Sequence, residues 1–225
     1  GFSLSIRNLL CKNEHHIEFD VHAEGDRPAV RGSFICHEGP QPINVCLPLH
    51  RGRAMYSHKY ICPIEGKMFI GGKEVSFDPD SSYGLSDIHK GYYPYEMKWH
   101  WATGGGYGGK TLTGFNFTDN QVEDQDKYNE NCVWIDGMIS LMPPVKFDFD
   151  GNDLYQPWHI SDSCGMVDIT FTPKVIRTVD ISALIIKSRY RGPFGGFTGV
   201  IRPGDGRTIS VDGFTGMCED FYLRT

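Results

Sequence analysis

The chain lacks the segments and spacings that mark several large protein classes. It has no run of about 18 apolar residues free of charge, so no membrane-spanning helix is expected. None of its 7 cysteines is spaced as CxxC, and its 9 histidines form no HxH or HExxH pattern. These absences argue against a zinc ribbon, a dithiol redox pair and a zincin helix. We therefore expect neither a metal site nor a cofactor.

Positive charge is also scarce. The chain has 22 lysines and arginines against 28 aspartates and glutamates, which gives a formal net charge of −6. A polyanion would meet net repulsion, so nucleic acid is not an expected partner. The glycine run 104–109 lacks the GxxxxGK[ST] order of a phosphate loop, and we interpret it as a flexible hairpin loop.

The first residues lack the features of a secretory leader. They show no basic start, no long apolar run and no small-residue cleavage site. The cysteines are odd in number and irregular in spacing, which is typical of buried free thiols. Together these features predict a reducing compartment, and we expect the cytoplasm.

Glycine and aromatic residues, by contrast, are abundant. The sequence has 27 glycines and 13% aromatic residues, and apolar and polar residues alternate along most of it. Many short alternating runs with Gly-rich turns predict an all-β fold, an antiparallel barrel or sandwich. Gly71-Gly72 predicts a two-residue hairpin turn, and Pro173, Pro193 and Pro203 predict strand ends. The predicted strands are 15–25, 29–39, 43–49, 66–80, 98–103, 110–117, 131–137, 145–151, 166–173, 183–192, 194–206 and 207–222.

Segment 84–101 is the densest in side chains that carry chemistry. It combines an acid, histidines, lysines and several large aromatic residues. If 98–101 is a strand, Trp99 and Trp101 point to the same face. We expect this face to line the interior of the predicted barrel as an aromatic-walled pocket.

Asp87 is the first acid of that segment, and its neighbours allow two interpretations. In the first, Asp87 accepts or donates a proton inside the pocket, with His89 or Lys90 as its partner. In the second, it caps turn amides in a Trp-rich core corner and pairs with Lys90 or Lys98. Both interpretations stay open on the sequence alone.

Other acids stand at predicted strand ends, where they line a barrel mouth or form a solvated rim. They are Glu130 and the pair Glu219-Asp220. We take Asp87 and Glu130 as the candidate catalytic residues. The candidate ligand-contacting residues are Lys90, Tyr95, Trp99, Trp101, Asn116 and Asn131.

The order of these motifs resembles an uncharacterised family known as domain of unknown function 2804. Six residues of the central motif fit the family pattern, whereas Lys90 and Lys98 stand where arginines are usual. Lysine lacks the bidentate geometry of arginine, so an anion clamp is not expected there. The fitting residues are Asp87, Gly91, Pro94, Tyr95, Trp99 and Trp101. The matching pieces are INVCLPL, MYSHKY, GKMFIGGKEVSFDPDSSYGLSDIHKGYYPYEMKWHWA, GFNF, NENCVWIDG, PWHI, VDITFTP and FGGFTGVIRPGDGRTISVDGFTGMCED.

The resemblance covers residues 40–225 and implies a lipocalin-like fold. The family is similar to proteins with two β-barrel lobes that include carotenoid hydratases and pericyclic cyclases. Because family members carry a further segment ahead of this region, the chain looks like the C-terminal two-thirds of a longer protein. That preceding segment is then an expected partner. The resemblance implies the remainder of an N-terminal β lobe at 1–80 and a C-terminal lipocalin-like barrel lobe at 81–225.

Three functional hypotheses follow. The first is a lipocalin-like barrel that binds an apolar small molecule in the aromatic-lined pocket. The second is a cofactor-free hydratase, isomerase or cyclase, in which Asp87 or Glu130 protonates an alkene and Trp99, Trp101 and Tyr95 stabilise the cation. The third is a structural or assembly protein whose barrel is filled. An acid with a raised pKa inside a cavity would favour the enzyme over the simple binding protein. The presence of a cavity would favour either of these over the filled structural barrel.

Overall fold

The computed structural model describes residues 1–39, 41–50 and 52–225, and nearly all of their regular structure is β-strand. The helical structure in these ranges is limited to a 3₁₀ turn at Leu10–Lys12, and no helix there is long and apolar enough to cross a membrane. The predicted all-β fold class is therefore confirmed. The strands are β1 Phe2–Leu9, β2 Glu14–Val21, β3 Val30–His37, β4 Ile43–Leu49, β5 Arg53–Ile70, β6 Lys73–Phe77, β7 Tyr83–Tyr92, β8 Glu96–Gly108, β9 Thr111–Asp119, β10 Cys132–Ile135, β11 Met138–Leu141, β12 Lys146–Asp148, β13 Trp158–Ser161, β14 Val167–Ala183, β15 Ile186–Ile201, β16 Ile209–Ser210 and β17 Phe214–Arg224.

These strands form two antiparallel sheets. The first sheet contains β1 to β7 in the order β1-β2-β3-β5-β4, with β6 and β7 also pairing with β5. The second contains β8 to β17 in the order β11-β10-β9-β8-β17-β15-β14-β13-β12, with β16 pairing with β15. The lobes expected at 1–80 and 81–225 stay a prediction. Strand pairing groups β7, and hence Asp87, with the first sheet.

Strand β5 is the centre of the first sheet. Its first half pairs with β4 and β7, and its second half pairs with β3 and β6. The predicted hairpin at Gly71-Gly72 is present, because Ile70 pairs with Lys73 and both glycines have positive φ.

The second sheet curls around a core of its own side chains. Phe115 of β9 and Phe197 of β15 belong to strands that are not neighbours, yet their ring centroids lie 4.9 Å apart. Their cluster also holds fully buried side chains of Phe117, Trp158 and Phe171. The inner face of the curled sheet is therefore filled by the protein itself. The pocket expected inside the barrel does not lie there.

The glycine run was expected to be a loop, but Gly104, Gly105 and Gly106 lie inside β8. A Cβ on Gly104 would come within 2.8 Å of the Phe197 ring, and one on Gly105 within 2.6 Å of Ile61 Cδ1. These glycines leave room for side chains on both faces of the strand. The turn begins only at the end of the run, where Gly109 has a φ of 65°.

The strand ends predicted at Pro173 and Pro193 are also wrong. Both prolines lie within the long strands β14 and β15, which pair from Val167–Ile201 out to Ala183–Ile186. The first proline lies next to a β-bulge: Pro173 pairs with Gly195 and Val175 with Phe194, so Lys174 is left out of the ladder. Prolines within sheets are typically found at such bulges.

Candidate functional site

The outer face of the second sheet packs against the first sheet through two apolar clusters. One cluster contains Ile43, Ile61, Leu112, Cys132 and Trp134. The other contains Leu47, Leu49, Met55, Met97 and Val122. Along β5, Met55 belongs to the second cluster and Ile61 to the first. Between them on the same face of the strand, Ser57 and Lys59 are polar and almost fully buried.

A cavity of about 330 Å³ opens at this level between the two sheets. One part of its wall is aromatic and aliphatic, and the other part carries charged side chains. We call the charged and hydroxyl side chains at this level the polar layer: Ser57, Lys59, Asp87, His89, Thr118, Glu130 and Glu219. The lining residues are Leu49, Met55, Lys59, Asp87, His89, Tyr93, Met97, Lys98, Trp99, Trp101, Thr118, Asn120, Gln121, Glu130, Glu219, Phe221 and Leu223.

Strand register brings the members of the polar layer together. On the first sheet, Lys59 of β5 lies directly opposite Asp87 of β7. On the second sheet, Trp101 of β8 lies opposite Glu219 of β17 and Thr118 of β9. Residues that are directly opposed in an antiparallel pair project from the same face. Each sheet therefore presents its own row of polar groups to the interface.

Lys59 is the central cation of the polar layer. Its Nζ lies 3.3 Å from Glu130 Oε1 and 3.5 Å from Asp87 Oδ2. It also lies over the ring of Trp101, 4.9 Å from the centroid. A lysine that is 1% exposed needs such partners, because a buried ammonium without counter-charge is strongly disfavoured.

Glu130 is held from several sides. Ser57 Oγ donates a hydrogen bond of 2.6 Å to its Oε2, and Thr118 Oγ1 donates one of 3.0 Å to its Oε1. Together with Lys59, these donors occupy both carboxylate oxygens. Glu130 is 1% exposed, so its position is fixed by protein groups on both sheets.

The pKa of Asp87 is set by opposing effects of burial and of its two partners. Burial by itself would raise the pKa of Asp87, but a hydrogen bond from His89 and the charge of Lys59 outweigh it, so the pKa lies below its usual value. His89 Nε2 is 3.0 Å from Asp87 Oδ1. Asp87 is therefore set up to stay a carboxylate and to accept a proton rather than donate one.

Glu219 is shifted in the opposite direction. Its burial raises the pKa above the usual value, against the lowering effect of a 2.5 Å hydrogen bond from Trp99 Nε1. The cavity thus contains two carboxyl groups whose environments push their pKa values apart. Such a pair is the usual arrangement for one proton donor and one acceptor in a single site.

The structure brings only part of the predicted site together. Asp87, Glu130, Trp99 and Trp101 line the cavity, and the two tryptophans share a face as expected. Asp87 pairs with Lys59 and His89 rather than with a lysine of its own segment.

Two predicted ligand contacts point elsewhere. Lys90 lies opposite Tyr56 on the far face of β7. Tyr95 lies in the loop between β7 and β8 and is 57% exposed. Neither residue lines the cavity.

Two other predicted ligand contacts lie behind the cavity wall. Asn116 accepts a 2.7 Å hydrogen bond from Trp101 Nε1 and donates one of 2.8 Å to the Glu130 backbone carbonyl. Asn131 accepts one of 2.7 Å from the Thr118 amide. Both asparagines are fully buried, so they position lining residues instead of touching the cavity.

Sequence reasoning missed Lys59, and it placed Glu219 at a barrel mouth or solvated rim without choosing it as a catalytic residue. Lys59 sits in an alternating strand where a lysine ordinarily marks the solvent face. A usable signal was the nearby run of Ile61 and Cys62, which indicates burial. Among the residues that the structure describes, no group of His, Cys, Asp and Glu is arranged to hold a metal ion.

Comparison with known proteins gives one family and distant structural likenesses. A family model described as Domain of unknown function (DUF2804) matches residues 1–224, which extends the resemblance noted for 40–225 to nearly the whole chain. No curated protein sequence matches the chain.

Among solved structures, the chain is similar to kievitone hydratase from Nectria haematococca, with a TM-score of 0.48 and 11% sequence identity. The match covers 92% of this chain and 65% of the hydratase chain. It is also similar to the structure of CghA with Sch210972, with a TM-score of 0.48 and 11% sequence identity. That match covers 94% of this chain and 65% of the CghA chain. The chain therefore spans slightly less than two thirds of these chains.

Proposed function

We propose that this chain, which belongs to the Domain of unknown function (DUF2804) family, binds a largely apolar small molecule in the cavity between its two sheets. The observation that carries the proposal is the cavity itself. It combines an apolar wall with a few fixed polar groups, and its volume of about 330 Å³ suits a small organic molecule.

The apolar wall would hold the body of the ligand. Trp99 stacks on Phe221 with ring centroids 4.1 Å apart, and this pair offers a rigid aromatic surface. Met55, Met97 and Leu223 complete the apolar part of the lining. Flexible methionines adapt to irregular ligand shapes, so this wall favours a hydrophobic ligand without demanding one outline.

The polar layer would orient one end of the ligand. A hydroxyl or carbonyl group at that end can reach Lys59, Asp87 and Glu219, all of which line the cavity. These three side chains already pair with protein groups, so they are held in place to orient such a polar end. Asn116 and Asn131 contribute indirectly, since they position Trp101 and Thr118.

The test is to identify and then block the ligand. Native mass spectrometry and solvent extraction of the purified protein should reveal a bound apolar molecule, and Nile red should bind the emptied protein. Leu223→Trp fills the cavity and should weaken Nile red binding about ten-fold, equivalent to ~1.4 kcal/mol. Leu141→Trp, at a leucine that is 71% exposed outside the cavity, is the matched control.

Two results would contradict binding. One is the recovery of no molecule together with equal Nile red binding by both variants. The other is equal loss of binding in the Leu141→Trp control, which would attribute the effect to added tryptophan instead of the cavity.

A second candidate function is proton-transfer catalysis on that ligand, as in a hydratase or isomerase. The opposed pKa shifts of Asp87 and Glu219 favour it. In a hydration, Glu219 in its protonated form, which its raised pKa favours, would give its proton to an alkene carbon, water would attack the resulting cation, and the Asp87 carboxylate would take the proton released by that water. Asp87 then releases its proton to solvent and Glu219 takes one up from solvent, so the net change is the addition of one water molecule.

This second function has its own readout. The extracted ligand is returned to the protein in heavy water, and mass spectrometry follows either the gain of one water molecule or deuterium incorporation. Glu219→Gln should abolish either change while ligand binding persists. Turnover should require ionised Asp87 and protonated Glu219, which predicts a bell-shaped pH profile. Turnover that survives in Glu219→Gln removes the catalytic proposal.

The cytoplasmic location stays a prediction from the spacing of the cysteines.

A further inference from the structure

Strands β14 and β15 form a hairpin whose outer part extends beyond the core. Alternating burial ends near Pro173, and from Lys174 onward every residue to the tip is exposed or half-buried. The tip is not a typical turn. Ala183 pairs with Ile186, so Leu184 and Ile185 are the two connecting residues.

The two residues at the tip are unusual for a two-residue hairpin turn. Such turns favour Asn, Asp and Gly, because their backbones take positive φ readily. Here Leu184 has a φ of 47° and Ile185 follows it. Leu184 is 102% exposed and Ile185 is 67% exposed, so no packing within the chain compensates for the strained backbone. Packing within the chain therefore does not account for the apolar apex.

The charge of the hairpin also differs from that of the chain. Residues 174–191 contain five basic side chains and one acidic side chain, whereas the whole chain has a net charge of −6. Arg189 and Arg191 lie 3.4 Å and 3.7 Å from the Asp220 carboxylate. Asp220 offsets part of the charge of these two arginines, whereas Lys187 and Arg224, which lie opposite each other, place positive charge close to the tip. An anionic surface would attract this end of the molecule and repel the rest.

The apolar side of the hairpin is continuous with the cavity. Tyr190 lies opposite Phe221, with ring centroids 6.1 Å apart, and Phe221 lines the cavity. Ile181 lies opposite Ser188, which in turn lies opposite Leu223, another lining residue. Ala183 and Ile186, which pair at the tip, lie on the same face as Ile181 and Tyr190. Apart from Ser188, this face is therefore apolar from the tip to the cavity wall.

From these features we infer that the tip of the β14–β15 hairpin docks on an anionic lipid bilayer, with Leu184 and Ile185 inserted among the lipids and the basic side chains at the headgroups. Apolar residues flanked by lysines and arginines give this kind of interfacial attachment, because insertion and electrostatic attraction add. The inference concerns attachment to a surface and does not depend on the ligand proposed above.

The experiment is vesicle flotation of the full chain. Vesicles of phosphatidylcholine with phosphatidylserine should carry the protein, vesicles of phosphatidylcholine alone should carry much less, and added salt should release it. Leu184→Asn combined with Ile185→Gly installs a favoured turn, so this variant should fold, and it should lower partitioning about ten-fold or more because two large apolar side chains are lost. Leu141→Asn, at an exposed leucine elsewhere, should bind like the wild type.

Equal flotation of the tip variant and the wild type would overturn the inference, as would flotation that ignores phosphatidylserine. So would sedimentation that shows a tip-dependent dimer without vesicle binding, because a second copy of the chain would then be the occupant. None of these results bears on Nile red binding in the cavity, so this inference and the proposed function fail separately.

Discussion

The Lys59 ammonium lies 3.3 Å from the Glu130 carboxylate, and each of the two side chains is only 2% exposed. This ion pair joins β5 of the first sheet to the segment that precedes β10 of the second. Removal of one partner leaves the other charge buried without compensation, which costs far more than the loss of a surface pair.

We therefore expect Lys59→Met to lower the free energy of unfolding by about 3–5 kcal/mol. Combination with Glu130→Gln should cost clearly less than the two single changes added together, because the charges are coupled. Urea unfolding of the four proteins measures this. Lys67→Met is the control, since Lys67 and Glu74 are exposed and their pair contributes at most about 1 kcal/mol. Additive losses at Lys59 and Glu130 would contradict the coupling.

Gly114 should not tolerate a side chain. A Cβ there would lie 2.2 Å from Ile61 Cδ1, so Gly114→Ala should destabilise the protein by about 1–3 kcal/mol. Ile61→Val removes that methyl group, and the double variant should regain part of the loss. Gly108→Ala is the control, because nothing lies within 4 Å of the added Cβ. A thermal unfolding series with no recovery in the double variant would argue against this contact.

The pH dependence of stability should differ in sign between the two cavity acids. The pKa of Glu219 is raised above 4.5, so the folded state binds its proton more tightly, and stability falls as the pH rises from 4.5 through the raised pKa. Glu219→Gln should therefore gain stability relative to the wild type across that window and stay level below it. The measurement is urea unfolding at a series of pH values.

Asp87 should behave in the reverse manner. Its pKa is lowered below 3.8, so the stability that it contributes is present above that value and is lost as the pH falls through the lowered pKa. Asp87→Asn should thus be less stable than the wild type at neutral pH, with the difference shrinking in acid. A constant difference at every pH would show that the change acts through packing.

Asn116 should matter for stability and for ligand binding although it does not touch the cavity. Asn116→Ala removes hydrogen bonds to Trp101 and to the Glu130 carbonyl, and leaving buried groups unpaired costs about 1–3 kcal/mol each. Nile red affinity should fall as Trp101 loses its fixed orientation. Asn152→Ala, at an exposed turn, should change neither quantity. Unaltered dye affinity in a destabilised Asn116→Ala protein would limit the asparagine to a structural role.

Periodicity alone was sufficient to predict the all-β class, the Gly71-Gly72 hairpin and the shared face of Trp99 and Trp101. These features depend on neighbours along one strand or across one turn. The extension of β14 beyond Pro173 was missed, because a bulge that admits proline depends on the partner strand.

The site itself was less accessible to sequence reasoning. The sequence pattern of β5 places Lys59 on a solvent-facing side. The alternation of apolar and polar residues does not show that a second sheet covers this side. Gly105 likewise looks like part of a loop, and its role becomes clear only when Ile61 of the other sheet is seen to approach it. Both residues are explained by contacts between distant parts of the chain.

The contacts around the cavity join residues that are distant in sequence: Ser57 and Glu130, on opposite walls, are separated by 73 positions, and Trp99 and Glu219, within one wall, by 120. Closing such long loops is entropically unfavourable, so these contacts are expected to form late on the folding pathway. A polypeptide cut between Tyr93 and Pro94 would place the walls on separate fragments. Neither fragment would hold the cavity, and its recovery on mixing would be a direct signal of fragment complementation.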